Sequence, residues 1–498
     1  MPWISPTTDL FLHSTKTKDM NRYRKDQALL HEARTHWENL TSYRQRRDRC
    51  KRYCYGDQWG DPVMVDGKWM REEHYIRSHG SEPLKNNLIR RMVKQVLGLY
   101  RSRQHPVRVP DDNKAEARRL TQLLRNVQTY NSMAEVNARA LEEFLISGMV
   151  VQRKSYGWRR GHAGCWTDNV PANLFFIDSW AVDCRGWDVD CIGEIHDLRF
   201  DELCEQFARG TDDMEALHDI YAPATYLGRV REMLSDFGSP TPLTEGFLCP
   251  TSPHLCRVYE VWRMERRQGF LCHDREAGEL VWVSPADSNK AARYDSRQWT
   301  TASEWHYYYI TPFGDVLDEG VTPYTHRSHP YVMKAYPYID GEIHSFVGDI
   351  IDQQRYTNRL ITLYDWVMRS SAKGVLLVPE ECIAEGYTME DIADQWARFN
   401  GVIPIRTCGG AMMPQQVAAN AVNIGINELL QTQLNFMEDI SGITGALQGK
   451  KASAGVSGTL YEQQTHNATL SQLDLLDTFN TFLDEGEKID VSNIRQFF

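Results

Sequence analysis

A chain of 498 residues that is 42% apolar and 11% aromatic, with fourteen tryptophans, can fill more than one packed region, which excludes a disordered or low-complexity protein. A formal net charge of −11 excludes a uniformly basic nucleic-acid binder, so any phosphate contact must be local. The eleven cysteines follow no CxxC or CxxC…HxxxH spacing and read as reduced thiols, and no apolar run approaches the roughly eighteen residues of a membrane span.

The opening Met1-Pro-Trp-Ile-Ser-Pro6 lacks the basic segment and apolar run of a secretory signal, so an aqueous location is expected. Over residues 19–55, Tyr23, Leu30, Trp37, Leu40 and Tyr43 recur at near-helical spacing. The basic run Arg44, Arg46, Arg47, Arg49, Lys51 and Arg52 on that helix reads as a solvated face balanced by neighbouring acids. Gly56-Asp-Gln-Trp-Gly-Asp-Pro62 breaks the helix, and residues 86–100 and 115–146 are helical again, the latter ended by Gly148. Short β-rich runs follow at 149–158, 173–177, 193–200, 257–263 and 304–310, with a helix near 201–208 and a helix-then-loop stretch over 211–253.

The clearest helix is expected over 342–371, where Ile343, Val347, Ile350, Gln354, Thr357, Ile361, Tyr364 and Met368 follow the four-three spacing of a packing seam. Its two polar positions would fix register at some cost in stability. Residues 373–379 read as a strand, 389–399 as a helix and 401–406 as a second strand. A helix over 427–440 is stopped by Ser441-Gly442, and another spans 459–483. Between them the loop 445–458 is rich in Gly and Ser. From 407 to 487 there are nine carboxylates and only two basic residues, Lys450 and Lys451, both in that loop. A cationic tip on an acidic helical wall suits repeated, weak contact with a polyanion.

Several stretches resemble the portal proteins of tailed double-stranded DNA bacteriophages. They are Tyr55-Gly-Asp-Gln-Trp59, Asn86-Asn-Leu-Ile-x3-Val-x2-Val-x-Gly98, Ile146-Ser-Gly148, Val170-Pro-Ala-x5-Asp178, Asp352-Gln-x4-Asn358, and Ser441-Gly-Ile-Thr444 leading to Ser457-Gly458. Each is short, and their order over about residues 50–485 is more specific than any one of them.

The resemblance implies an α+β, mainly helical chain that assembles as a ring, usually of twelve copies. It implies an N-terminal helical arm (1–54), a mixed wing (55–341), a first stem helix (342–371), a small α/β clip (372–424), a second stem helix (425–444), a tunnel loop (445–457), and a post-tunnel helix with a reduced crown (458–498). Stem packing then falls to Ile343, Val347, Ile350, Ile361, Tyr364 and Met368, partner contact at the clip to Glu380, Glu381 and Asp394, and DNA contact to Lys450, Lys451, Ser453 and Ser457. The implied partners are double-stranded DNA without sequence preference, the large terminase subunit, head-tail adaptor or tail proteins, and major capsid and scaffolding proteins. No membrane and no cofactor is implied. The implied place is the portal vertex of a virion, after synthesis in the host cytoplasm.

Three rival readings are weaker. A phosphate-binding loop needs GxxxxGK followed by Ser or Thr, whereas Thr444 stands at the first glycine position and Lys451 at the last. A Mg²⁺-dependent nuclease could use Asp178, Asp183, Asp188, Asp190 and Glu194, but no Lys or His stands at a telling spacing and Asp in an irregular segment usually serves turns. Other virion connectors or adaptors are typically much shorter. His105, His196 and His344 read as structural histidines, and Met412-Met413 as packing.

Overall fold

The computed structural model describes residues 23–102, 114–159, 161–183, 185–222, 226, 228–231, 246–250, 252–274, 279–285, 297–336, 338–339, 341–373, 375–397, 402–406, 415–417, 425–443, 470 and 472–498. Where one N-terminal helix is expected, two form: α1 (Gln27–Asn39), capped by the Asp26 carboxylate on the Leu29 amide (3.0 Å), and α2 (Thr41–Tyr55). Arg44 folds back over the Trp37 ring (3.8 Å), and Arg47 forks onto Glu143 (2.7 and 2.9 Å), so part of the basic run is buried against specific partners. The hairpin β1 (Pro62–Val65) and β2 (Lys68–Arg71) follows, then α3 (Glu72–Ser78) and α4 (Leu88–Ser102). The stretch expected as one helix divides into α5 (Lys114–Tyr130) and α6 (Met133–Ser147). The break has a local cause: Asn131 bonds Cys165 O (2.9 Å) and the Thr167 amide (3.2 Å), and Ser132 takes a left-handed φ of 54°.

Gly148 ends α6 at φ 78°, and a Cβ there would lie 2.0 Å from His344 O, so no other residue fits. The β-rich region comprises β3 (Met149–Arg159), β4 (His162–Asn169), β5 (Phe175–Ile177), β6 (Cys191–Arg199), helices α7 (Phe200–Phe207) and α8 (Thr211–Tyr221), then β7 (Leu255–Asp274), β8 (Glu279–Val283), β9 (Arg297–Ile310), β10 (Val316–Val321), β11 (Tyr331–Ala335), β12 (Tyr338–Ile339) and β13 (Glu342–Ile343). Then come α9 (Phe346–Lys373), β14 (Val375–Leu377), α10 (Met389–Ala397), β15 (Gln415–Val417), α11 (Ile426–Ser441) and α12 (Leu473–Phe497). The class is α+β, and every pairing among the described strands is antiparallel.

The chain divides into two compact units, Met1–Lys51 with Met92–Asp349 and Ala446–Phe498, and Arg52–Arg91 with Ile350–Gly445. In the first, a six-stranded sheet runs β10-β9-β7-β6-β5, with β8 beside the far half of β7, and a three-stranded sheet runs β11-β3-β4. Alternation along β5 serves both faces: Phe176 joins the core built with α1, α7 and α8, while Phe175 and Ile177 join a second core with Met149, Val151 and Tyr331. A Cβ at Gly193 would lie 2.3 Å from both Glu260 O and the Phe176 ring, so glycine alone permits that sheet. The strand β7 changes neighbour on one edge, pairing β6 up to Arg263 and β8 only from Phe270, while β9 follows its other edge from Tyr259 to Cys272.

Helix α12 packs on α5, β3, β4 and β11, buries Leu476, Phe479, Phe482 and Ile494, and runs past the expected end at 483 because its buried face continues. Its Asp490 is ion-paired with Lys154 of β3 (2.7 Å), both fully enclosed.

Candidate functional site

The second unit is organised by one polar strip on α9. Gln354, Asn358 and Thr362 stand at i, i+4 and i+8 on the same face, and the first two are 0% exposed. The Gln354 Oε1 accepts from the amides of Leu88 (3.0 Å) and Ile89 (3.3 Å), two of the orphan donors that begin α4. Its Nε2 donates to Asn86 O (2.7 Å) and Asn358 Oδ1 (2.9 Å). Asn358 donates to Gln58 Oε1 (2.7 Å) and accepts from the Asn86 amide (3.2 Å), and Thr362 accepts from the Leu84 amide (3.2 Å). One carboxylate, Glu72, takes both Arg355 (2.8 Å) and Arg359 (2.5 Å) from the next turns of the helix. Three of the short motifs, around Gln58, Asn86 and Gln354–Asn358, thus meet in a single buried network. Polar positions that resemble register markers between chains serve the helix's own unit.

The expected stem residues divide accordingly. Helix α9 begins at Phe346 and not at 342, because Ser345 caps it (Gly348 amide to Oγ, 2.9 Å) after the turn at Gly341, and Ile343 therefore lies on β13. Val347 and Ile350 are fully buried, Ile361 partly. Tyr364 and Met368 are exposed, together with Tyr356, Leu363 and Trp366, the last 52% exposed. On α11, Leu429, Phe436 and Ile440 recur at seven and four residues and are likewise exposed, Phe436 at 47%. Exposed apolar side chains thus recur along both helices.

Beyond α9, β14 pairs with β15, and a single bridge joins Ile383 to Ile405 where a strand over 401–406 is expected. Glu380, on a 3-10 turn (Glu380–Cys382), and Asp394, on α10, are both exposed. The side chain of Glu381 and the loop residues Lys450, Lys451, Ser453 and Ser457 lie outside the described residues, as do His105 and Met412-Met413.

Four of the five carboxylates weighed for metal chemistry are committed elsewhere. Asp183 is forked onto Arg185 (2.9 Å), Asp188 accepts the amides of Val182 (2.6 Å) and Asp183 (2.9 Å), and Asp190 is bidentate with Arg266 (2.5 and 2.8 Å). Glu194 belongs to a buried cluster in which Arg153 Nη1 stands 2.6 Å from Glu194, 3.3 Å from His196 and 3.6 Å from Glu260. Burial pushes the Glu260 carboxyl up, but His196 (2.7 Å), Arg153 and Trp262 more than reverse this and hold it at about 2. Burial holds that of Glu194 above the usual range despite Arg153. His196 is held in this cluster by Glu260, and His344 is exposed beside Glu342 (3.4 Å).

No helix among the described residues is long and apolar enough to cross a membrane, and no curated protein matches the chain. A family model described as phage P22-like portal protein matches residues 30–498.

Proposed function

Because the chain belongs to the phage P22-like portal protein family, whose members are capsid-associated, ring-forming and generally structural rather than catalytic, we propose that twelve copies form a DNA channel at one capsid vertex. The ring would serve genome packaging, retention and ejection, and would dock the packaging motor and the tail. In this reading α9 and α11 are the stem, residues 372–424 the clip facing motor and tail with Glu380, Glu381 and Asp394, and residues 445–457 the tunnel loop. The chain itself is no enzyme, and packaging ATPase activity belongs to a partner.

The observation that carries this reading is the exposed apolar side chains on α9 and α11, Trp366 and Phe436 among them. Burying two such side chains against a neighbour contributes roughly 1.5–3 kcal/mol each. A conduit also has to pass every sequence in both directions, so phosphate contact without base readout suits it.

The test is assembly. Trp366→Asp and Phe436→Asp are expected to leave a folded monomer with unchanged circular dichroism, while rings vanish from negative-stain images and native mass spectra. Intact rings from both variants would overturn the assignment of this surface. Ile350→Asp would not discriminate, since that side chain is buried in its own chain and the substitution damages the fold itself.

A further inference from the structure

Two clusters in the first unit bring three metal-ligating side chains within 4.8 Å of one another, and they differ in kind. In the Glu194, His196 and Glu260 cluster the Arg153 guanidinium already supplies the cation. The other joins Glu32 and His36, one helical turn apart on α1, to Cys191 at the start of β6. His36 is 2% exposed, and its Nδ1 has no hydrogen-bond partner. That atom lies 4.0 Å from Asp178 Oδ1, too far for a hydrogen bond.

Asp178 is 3% exposed and pairs with no Lys or Arg among the described residues, while Glu32 reaches only the half-exposed Arg263 (3.5 Å). An orphaned imidazole nitrogen beside a buried carboxylate is costly unless something bridges them. Burial of the thiol and the imidazole keeps both uncharged in the bare protein, so a bound cation would have to displace the thiol proton.

We propose that Glu32, His36 and Cys191, with Asp178 as fourth donor, form a structural Zn²⁺ site that pins α1 to the sheet. Thiolate, imidazole and two carboxylates form a mixed set that suits borderline-soft Zn²⁺ and disfavours Mg²⁺ and Ca²⁺, which take oxygen alone. On binding, Cys191 releases its proton to solvent and the sulfur lone pair forms the bond to the metal. A closed set of four protein ligands makes the site structural.

The test uses the full chain, stripped with chelator and reloaded with Co²⁺ as spectroscopic probe. One equivalent should bring a thiolate-to-cobalt charge-transfer band in the near ultraviolet and tetrahedral ligand-field bands in the visible, and Zn²⁺ should abolish both. Cys191→Ser should remove the charge-transfer band, and His36→Gln should weaken Zn²⁺ binding at least tenfold, whereas His196→Gln should change neither. Absence of a charge-transfer band from the wild-type chain, or its survival in Cys191→Ser, would overturn the proposal. The wild-type spectrum alone decides if a variant fails to fold.

Discussion

Replacing Gln354 by Leu keeps the volume of the side chain and removes its four hydrogen bonds. Asn358 Oδ1 retains the Asn86 amide, and the Leu88 amide and the Asn86 carbonyl keep the hydrogen bond between them (2.9 Å), so the group left unsatisfied is the buried Ile89 amide. A buried unsatisfied group costs about 1–3 kcal/mol, whereas Leu88 and Asn86 lose only a second partner. The expected loss is about 1–3 kcal/mol, a sizeable part of the ~5–15 kcal/mol that holds a domain folded. Urea unfolding followed by tryptophan fluorescence measures it, and a double-mutant cycle with Asn358→Ala should give a coupling of at least about 0.5 kcal/mol. Gln354→Glu retains the acceptor for both amides but faces Asn86 O with a second acceptor, so its stability should recover as acid protonates it. A loss below about 1 kcal/mol for Gln354→Leu would refute the reasoning, because the network would then be decoration on a unit held by something else.

Three further outcomes are expected. Lys154→Ala leaves Asp490 buried without its cation and should cost about 3–5 kcal/mol, whereas the joint change Lys154→Met with Asp490→Leu should be close to neutral, both read from urea midpoints. Burial depresses His326 to about 4 and His329 to about 3, so the unfolded chain takes up their protons first. Their contribution is complete above about pH 6.5 and is lost as the pH falls through 4 and then 3, so His326→Gln with His329→Gln should flatten the fall in urea midpoint between pH 6.5 and 4. Lys450→Glu with Lys451→Glu should leave rings intact and reduce both DNA retention and the salt dependence of DNA binding, and particles of normal DNA content would count against the tunnel-loop proposal.

Much of this fold is written in local pattern. The long helix, the stop at Ser441-Gly442, the turn at Gly148 and most strand centres follow from periodicity and from backbone rules that act over a few residues. Boundaries fixed by tertiary partners are not legible in this way. The break at Asn131 exists because β4 presents Cys165 O and the Thr167 amide, and α12 runs beyond 483 because β3 and α5 cover its far end. The seam of α9 is legible as a seam, but not its partner: spacing cannot tell Gln354 against another copy from Gln354 against the first turn of α4. The Glu32 and His36 pair has the i,i+4 spacing of a helical ligand pair, yet its third member comes from a distant strand, and only the sheet brings Cys191 there.

The exchange of neighbours along β7 has a consequence for a protein made in many identical copies. Residues 265–269 sit between the last β6 pair and the first β8 pair, so among the described residues no strand bonds that edge. An open edge of this length invites pairing with the same edge of another molecule. Here the exposed backbone is guarded by Glu265-Arg266-Arg267, with Arg266 locked onto Asp190 and Arg267 onto Glu265 (2.8 Å). Charges clamped across a gap block a second strand and make head-to-head aggregation costly. Newly made chains would then reach their proper neighbours before they find the wrong ones.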